Sequence, residues 1–362
     1  MAKTILFPFF AALVATYAVV PLVIALAWKC GFVDDPDKRV HPAHTHRGII
    51  PRAGGLALLI GISTASFIFL PTYRLFVGTF VASLILVCVG LADDRWDINP
   101  YIRLVTNALA VAIVIASGVT IPFITNPATG GVLRLDTTII TVPLLSNLPL
   151  FTLSTALTFL WLFWMVSIVG WSAGVDGQMP GFVAIAAAVL GILSLRYSIA
   201  DPAQIPVTIF AFIVSGAFSG FIPWNFFPQK IMPGYGGKTL AGFLLGLLAI
   251  LSYGKLGTAL LVLGIPTVDA VYTLIRRIIR KRSPVWADGE HLHHELLRLG
   301  WGRRKIALFY WFVSAILGAV ALSVKSQQKI FALFLVAVSL GGFFLWVKFF
   351  SQFSKPPVRD SG

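Results

Sequence analysis

Residues 74–97 read RLFVGTFVASLILVCVGLADDRWD, an apolar run that ends abruptly on Asp93 and Asp94, with Asp97 one helical turn beyond. A helix needs about 20 apolar residues to cross a bilayer core, so the first part predicts a span and the last part puts three carboxylates at its exit. The rest of the chain repeats the pattern. Of its 362 residues, 57% are hydrophobic and 12% charged, too apolar a mixture for a soluble protein to cover itself with polar surface.

Apolar runs and their breakers predict eleven helices, at roughly 5–28, 53–71, 74–92, 101–120, 151–170, 180–198, 206–222, 239–254, 256–279, 305–324 and 329–350. The expected fold class is an all-α polytopic membrane protein, with 1–362 as a single integral membrane domain. The first run has no small-residue cleavage site and reads as a retained helix rather than a signal peptide. Cys30 and Cys88, the two cysteines, support neither a disulfide framework nor a cysteine zinc site. Between the fourth and fifth runs, Gly130-Gly131 followed by alternating Val132 to Leu135 suggests a small hairpin.

The net charge of +14 is distributed between the apolar runs, without the basic, aromatic-interleaved face that nucleic acid would need. With the N-terminus outside, the inner loops hold 21 of the 28 Lys and Arg residues and the outer loops 7, the usual positive-inside bias. Eleven of the fourteen carboxylates and all six histidines fall on that same side. Acids have little influence on topology, so their gathering beside the cations needs another reason. A polar chemical site on the cytoplasmic face supplies one.

Five inner loops and one buried acid carry the chemistry. The first loop runs from Asp34-Asp35 through His41, His44, His46 and Arg47 to Pro51-Arg52-Ala-Gly54-Gly55, where cations and paired glycines suit a phosphate; a solvated loop drawn to anionic lipid is the plainer reading. In the second, Asp93, Asp94 and Asp97 could attract a divalent cation or act as a base, with Arg103 neutralising one acid, or simply form a charged helix end. Asp176-Gly177 in the third reads by itself as a turn. Asn225, Lys230, Tyr235 and Lys238 in the fourth suit a base and phosphates, although Met232 stands where a P-loop needs its first glycine. The last loop follows Arg276, Arg277, Arg280 and Arg282 with Asp288, Glu290, His291, His293 and His294. Its imidazoles can donate to a diphosphate; zinc is the weaker reading, since the spacing is not a helical i, i+4 set and the arginines would repel the ion. Asp269, inside the ninth run, is a functional suspect by location, though a bundle-locking role is favoured.

Taken in order, these loops resemble the polyprenyl-phosphate N-acetylhexosamine-1-phosphate transferases of glycosyltransferase family 4, and the likeness spans nearly the whole chain. It rests on His46-Arg-Gly-Ile-Ile-Pro51-Arg52-Ala-Gly-Gly55, on Asp93-Asp94 with Asp97, and on Ser283-Pro284 through Asp288 with His291-Leu-His293-His294. Two motifs depart from the family: Gly170 and Ala173 stand at an asparagine and an aspartate before Asp176-Gly177, and Tyr235 replaces an aspartate to which magnesium binding is attributed. Asp93, Asp94 or Asp176 then holds the ion, or Lys238 supplies charge in its place, or activity is altered or lost.

The resemblance implies that a polyprenyl phosphate entering from the bilayer attacks the β-phosphorus of a UDP-N-acetylhexosamine, giving polyprenyl-diphospho-sugar and UMP at the start of cell-envelope glycan assembly. It implies a catalytic set of Asp93, Asp94, Asp97, His291, His293 and His294. Asp93 would keep the lipid phosphate deprotonated or oriented, and Asp94 and Asp176 would contact Mg2+. Asp176, Asn225 and Lys230 would serve the nucleotide end, with Arg52, Arg103 and Lys238 as further anion-binding groups. The HLHH form resembles the simple-sugar branch, hence GlcNAc-1-phosphate. The expected location is the inner (plasma) membrane, with a homodimer left open. A transporter or flippase of anionic or lipid-linked solutes, and a catalytically silent relative, are the rival readings.

Overall fold

The computed structural model describes residues 2–37, 48–126, 130–142, 148–253, 255–281, 290–325 and 327–351. His41, His44, His46, Arg47, Arg282, Ser283, Pro284 and Asp288, singled out above, lie outside the described residues.

The predicted apolar runs become helices, and the differences are instructive. In chain order the helices are α1 (Ala2–Cys30), α2 (Gly54–Phe69), α3 (Arg74–Trp96), α4 (Pro100–Ala116), α5 (Thr152–Trp171), α6 (Gln178–Tyr197), α7 (Gln204–Asn225), α8 (Gly234–Leu251), α9 (Leu256–Val262), α10 (Gly264–Ile279), α11 (Leu292–Arg298), α12 (Arg303–Ser323) and α13 (Gln328–Ser351). Among the described residues eight helices are long and apolar enough to cross a membrane, or nine if the bent α9–α10 pair is one span. α2 and α4 are apolar but shorter, at 16 and 17 residues. The ninth run, expected to be one helix, turns through 90° between Val262 and Gly264. Pro266 explains why α10 starts afresh there, because a missing N–H is tolerated in a first turn and not in a helix interior.

Three small antiparallel pairs complete the chain. Strand β1 (Val33–Asp34) pairs with β2 (Ile50–Pro51), and β3 (Phe123–Thr125) with β4 (Val132–Arg134), the hairpin expected from the glycines. A further pair, β5 (Ile139–Val142) with β6 (Leu148–Phe151), was not foreseen, since Pro149 weakens the strand pattern.

Helix α8 is the centre of the bundle, with 83% of its apolar window buried, and it packs against α5, α3 and α2. Between apolar helices in lipid there is little hydrophobic gain, so close approach through small residues holds them together. Here Gly242 lies against the Met165 backbone, Trp161 Nε1 donates to the Gly246 carbonyl at 3.0 Å, and Gly90 of α3 rests on Gly236. Helices α1 and α7 meet the same way, Gly216 and Gly220 lying on the backbones of Phe9 and Leu13. At the other extreme α13 is only 11% buried, with Phe331 and Phe334 turned outward.

Any side chain on Gly90 would strike the Gly236 backbone. Gly90→Val is therefore expected to cost about 1–3 kcal/mol of stability, while Gly170→Ala, with open space around its position, costs none. Unfolding in detergent micelles checks the pair; equal stability for both variants would contradict this packing.

Candidate active site

Asp94 lies in the last turn of α3 as a buried carboxylate, and its partners come from two distant parts of the chain. Arg52, in the stretch between β2 and α2, places Nε 3.0 Å from its Oδ1. The backbone N–H of Tyr235, in the first turn of α8, donates to the same oxygen at 2.9 Å and to Oδ2 at 3.2 Å. Main-chain bonds fix the junction, Met232 N to Pro51 O, Gly54 N to Met232 O and Gly55 N to Pro233 O. The chain reaches Tyr235 through Gly234 at φ 67°, where a side chain would also collide with the Asp94 carboxylate. Arg52 additionally faces Asp34, at 3.7 Å.

Beside this junction, Asp93 is completely buried and takes one ion pair, from Arg103 Nη1 at 3.4 Å. Its other oxygen, Oδ1, is buried with no hydrogen-bond partner. Arg103 also covers the Tyr235 ring at 5.3 Å, and Asn107 Nδ2 donates to the Tyr235 hydroxyl at 3.1 Å. Asp97 caps α3 in the left-handed conformation with its side chain exposed at the rim, still close enough for its charge to act on Asp93 and Arg52.

The second group surrounds Asp176, at the turn into α6. Arg303, at the start of α12, lies 3.6 Å from its Oδ2, and Gln229 N donates to the same oxygen at 3.4 Å. Buried Asn225 accepts from Gly177 N at 3.0 Å and donates to Gln229 Oε1 and the Ile231 carbonyl, so the end of α7 is tied to the start of α6. Lys230 departs from the expected cluster, being exposed with its ammonium over the Trp224 ring at 5.2 Å.

The third group is the histidine segment. Asp269 accepts from the Leu292 N–H at 3.1 Å and lies 3.1 Å from His291 Nδ1, with Thr273 Oγ1 3.4 Å from the same nitrogen. The intramembrane acid is thus a lock, and what it locks is α11. Glu290 is held by Arg276 and Arg280 at 3.0 Å each and by Lys348 at 3.5 Å; against the partial desolvation, these three cations keep its carboxyl below the usual range. His291 and His293 stack with ring centres 5.7 Å apart, and His294 lies 4.3 Å from His293 with its ring tilted by 43°. The His293 imidazole lies flat against Gly174, two residues before Asp176, in space that any side chain there would fill.

Lys238, one turn into α8, joins the groups, since its charge acts on both Asp94 and His293. The structure therefore gathers Arg52, Asp93, Asp94, Arg103 and Lys238 at one mouth of the bundle and connects them through His293 to Asp176 and Asn225. The sequence reading missed Asn107 and Arg303, each distant in sequence from the acid or ring it serves, as well as Gly174, which it read only as part of a turn. Among the described residues no three His, Cys, Asp or Glu side chains converge as a metal cage. Both oxygens of Asp94 already accept hydrogen bonds, while Asp93 Oδ1 beside it is the buried carboxylate oxygen left open.

Comparison with known proteins reaches the same part of the chain. The family model for glycosyl transferase family 4 matches residues 76–253. The chain is 30% identical over 337 residues to a decaprenyl-phosphate N-acetylglucosaminephosphotransferase of Mycolicibacterium smegmatis, covering 84% of this chain and 78% of that protein. It is 28% identical over 340 residues to a probable undecaprenyl-phosphate N-acetylglucosaminyl 1-phosphate transferase of Bacillus subtilis, covering 91% and 87%. An undecaprenyl-phosphate alpha-N-acetylglucosaminyl 1-phosphate transferase of Thermotoga maritima is 26% identical, covering 90% and 91%.

Burial, and then the charges of His294, His291 and Lys238, hold His293 well below the ordinary imidazole value of 6.5. The unfolded chain then binds this proton more readily than the folded one. Stability present above about pH 6.5 is accordingly lost as pH falls from there toward the folded-state value. Unfolding measured from pH 8 to pH 5 should show a steeper acid-side loss in the wild type than in His293→Gln; parallel curves would contradict a neutral His293.

Proposed function

Since the chain belongs to glycosyl transferase family 4, we propose that it transfers GlcNAc-1-phosphate from UDP-GlcNAc to polyprenyl phosphate, releasing UMP, with residues 1–362 acting as one membrane-embedded transferase. One observation carries the assignment of the site: cations and acids from five separate segments meet at the same end of the bundle, next to a surface built for lipid. The curated relatives are named for this reaction with polyprenyl phosphates. An inner-face site in the plasma membrane is supported by the excess of Lys and Arg at the charged end, the usual mark of the cytoplasmic side. Eleven crossings follow if α2, α4 and the bent α9–α10 pair join the eight longer helices.

The acceptor and donor are both anionic, so the protein's task is to hold two phosphates in line and offset their repulsion. The N-termini of α2, α4, α6, α8 and α12 carry or adjoin Arg52, Arg103, Gly177, Tyr235 and Arg303, and their aligned dipoles add positive field at this end. Arg52, Arg103 and Lys238 bracket the acceptor phosphate. The unpartnered Oδ1 of buried Asp93 is the group that accepts a proton from it or orients it. The phosphate oxygen then forms a bond to the β-phosphorus as the bond from that phosphorus to the bridging oxygen breaks and UMP leaves. His291, His293 and His294 face the diphosphate, with Asp176 and Asn225 shaping the nucleotide end. Asp97 and Lys230 take rim positions in this arrangement. In this arrangement Lys238 and the arginines supply the charge, and Asp93 with Asp94 are the groups that would hold a divalent cation if one binds.

UMP release from UDP-GlcNAc and polyprenyl phosphate by the purified protein should fall at least about 100-fold in Asp93→Asn, as loss of a proton-transfer group does; unchanged turnover would reject that role. In the same assay excess EDTA should leave turnover standing. A rate that returns only with added magnesium would reinstate the cation expected from the resemblance.

A further inference from the structure

The opposite end of the bundle holds a second concentration of charge that the transfer reaction does not use. There α6 ends, α9 begins, α12 ends and α13 begins, and these turns bring Arg196 and Lys255 within electrostatic reach of Lys329. Lys329 is the unusual member. It stands in the first turn of α13 yet is only 8% exposed, and its Nζ donates to Thr258 Oγ1 at 2.6 Å. Among the described residues no carboxylate pairs with it. The acids on this side are occupied elsewhere, Asp201 by the Tyr253 hydroxyl and the Ala203 N–H and Asp136 by Arg134.

Its surroundings make the charge more costly still. Arg196 and Lys255 are close enough for their charges to act on it. Arg196 donates to the Leu322 carbonyl at the end of α12, and Lys255 lies over the Tyr197 ring at 5.5 Å. A cation in the first turn of a helix also opposes the macrodipole, and α13 has no acidic residue there to offset it. A buried ammonium with three donors, one neutral acceptor and cationic neighbours is unfavourable on every count unless an anion is bound.

We propose that this end binds the phosphate headgroup of an anionic phospholipid, with Lys329 as its buried anchor and Arg196 and Lys255 as the outer contacts. A lipid rather than free phosphate is indicated by what adjoins the anchor. Lys329 opens a membrane-spanning helix, at headgroup depth, and α13 is the least buried of the long apolar helices, with Ile330, Phe331, Phe334 and Val338 exposed on its outward side where acyl chains can lie. The site lies at the far end of helices that begin at the catalytic mouth, so it is separate from the acceptor site and its test does not depend on activity.

The test is the thermal unfolding temperature of the full chain in detergent, with phosphatidylglycerol or phosphatidylcholine added. Phosphatidylglycerol should raise it by about 2 °C or more over phosphatidylcholine, and Lys329→Gln should lose most of that difference. Lys255→Gln, where the side chain is only half-buried, gives a second variant should Lys329→Gln fold poorly, and it should lose part of the difference. Equal responses to the two lipids, or an undiminished difference in the variants, would overturn the proposal. Inorganic phosphate matching the lipid would overturn the lipid assignment.

Discussion

A carboxylate withdrawn from water at the edge of a lipid-embedded bundle must be paired, and the pairing of Asp94 organises the charged end of this protein where the transfer site is proposed. Its two oxygens take a guanidinium from the segment before α2 and a backbone N–H from the first turn of α8. Satisfying one acid thus joins three helices, and the glycines around it are present because the join is tight. Removing one partner of such a pair leaves a buried charge uncompensated, typically at about 3–5 kcal/mol. That penalty is what makes the junction a constraint on the fold as well as a site.

From that junction the chemistry extends in two directions. Toward α4, Arg103 bridges Asp93 and the Tyr235 ring, leaving one Asp93 oxygen buried and open to a ligand. Toward α11, Lys238 reaches the field of His293, whose ring lies on Gly174 beside the Asp176 turn. The α11 segment itself is positioned by Asp269, an acid inside the bundle whose two oxygens face His291 and the α11 backbone. Transporters place ionisable groups along a path at mid-membrane; here the intramembrane acid is consumed in holding α11.

Much of this was legible in the sequence because lipid imposes strong rules. A run such as 74–92 can hardly be anything but a helix, and the acids that end it had to sit at a surface. The clusters were legible for the same reason, since all the inner loops return to one face. What escaped was set by contacts between distant segments. Asn107 looks like a stray amide in an apolar span until the Tyr235 hydroxyl appears beside it, and Gly174 looks like a turn residue until His293 rests on it. Lys230 and Asp97 resembled their neighbours in charge but not in placement, one swinging onto Trp224 and the other turned out by the left-handed cap. The break in the ninth run had a local signal in Gly264 and Pro266, which the length of the apolar run obscured.

The claim that Asp94 and Arg52 form one buried unit is tested most directly by a double-mutant cycle in stability, with Arg52→Gln, Asp94→Asn and the double variant unfolded reversibly in mixed micelles. Each single change should be strongly destabilising, and the double variant should lose less than their sum by at least about 1 kcal/mol, as residues in one ion-pair network do. Losses that add to within about 0.5 kcal/mol would show that the two groups act independently, and the junction described here would not exist.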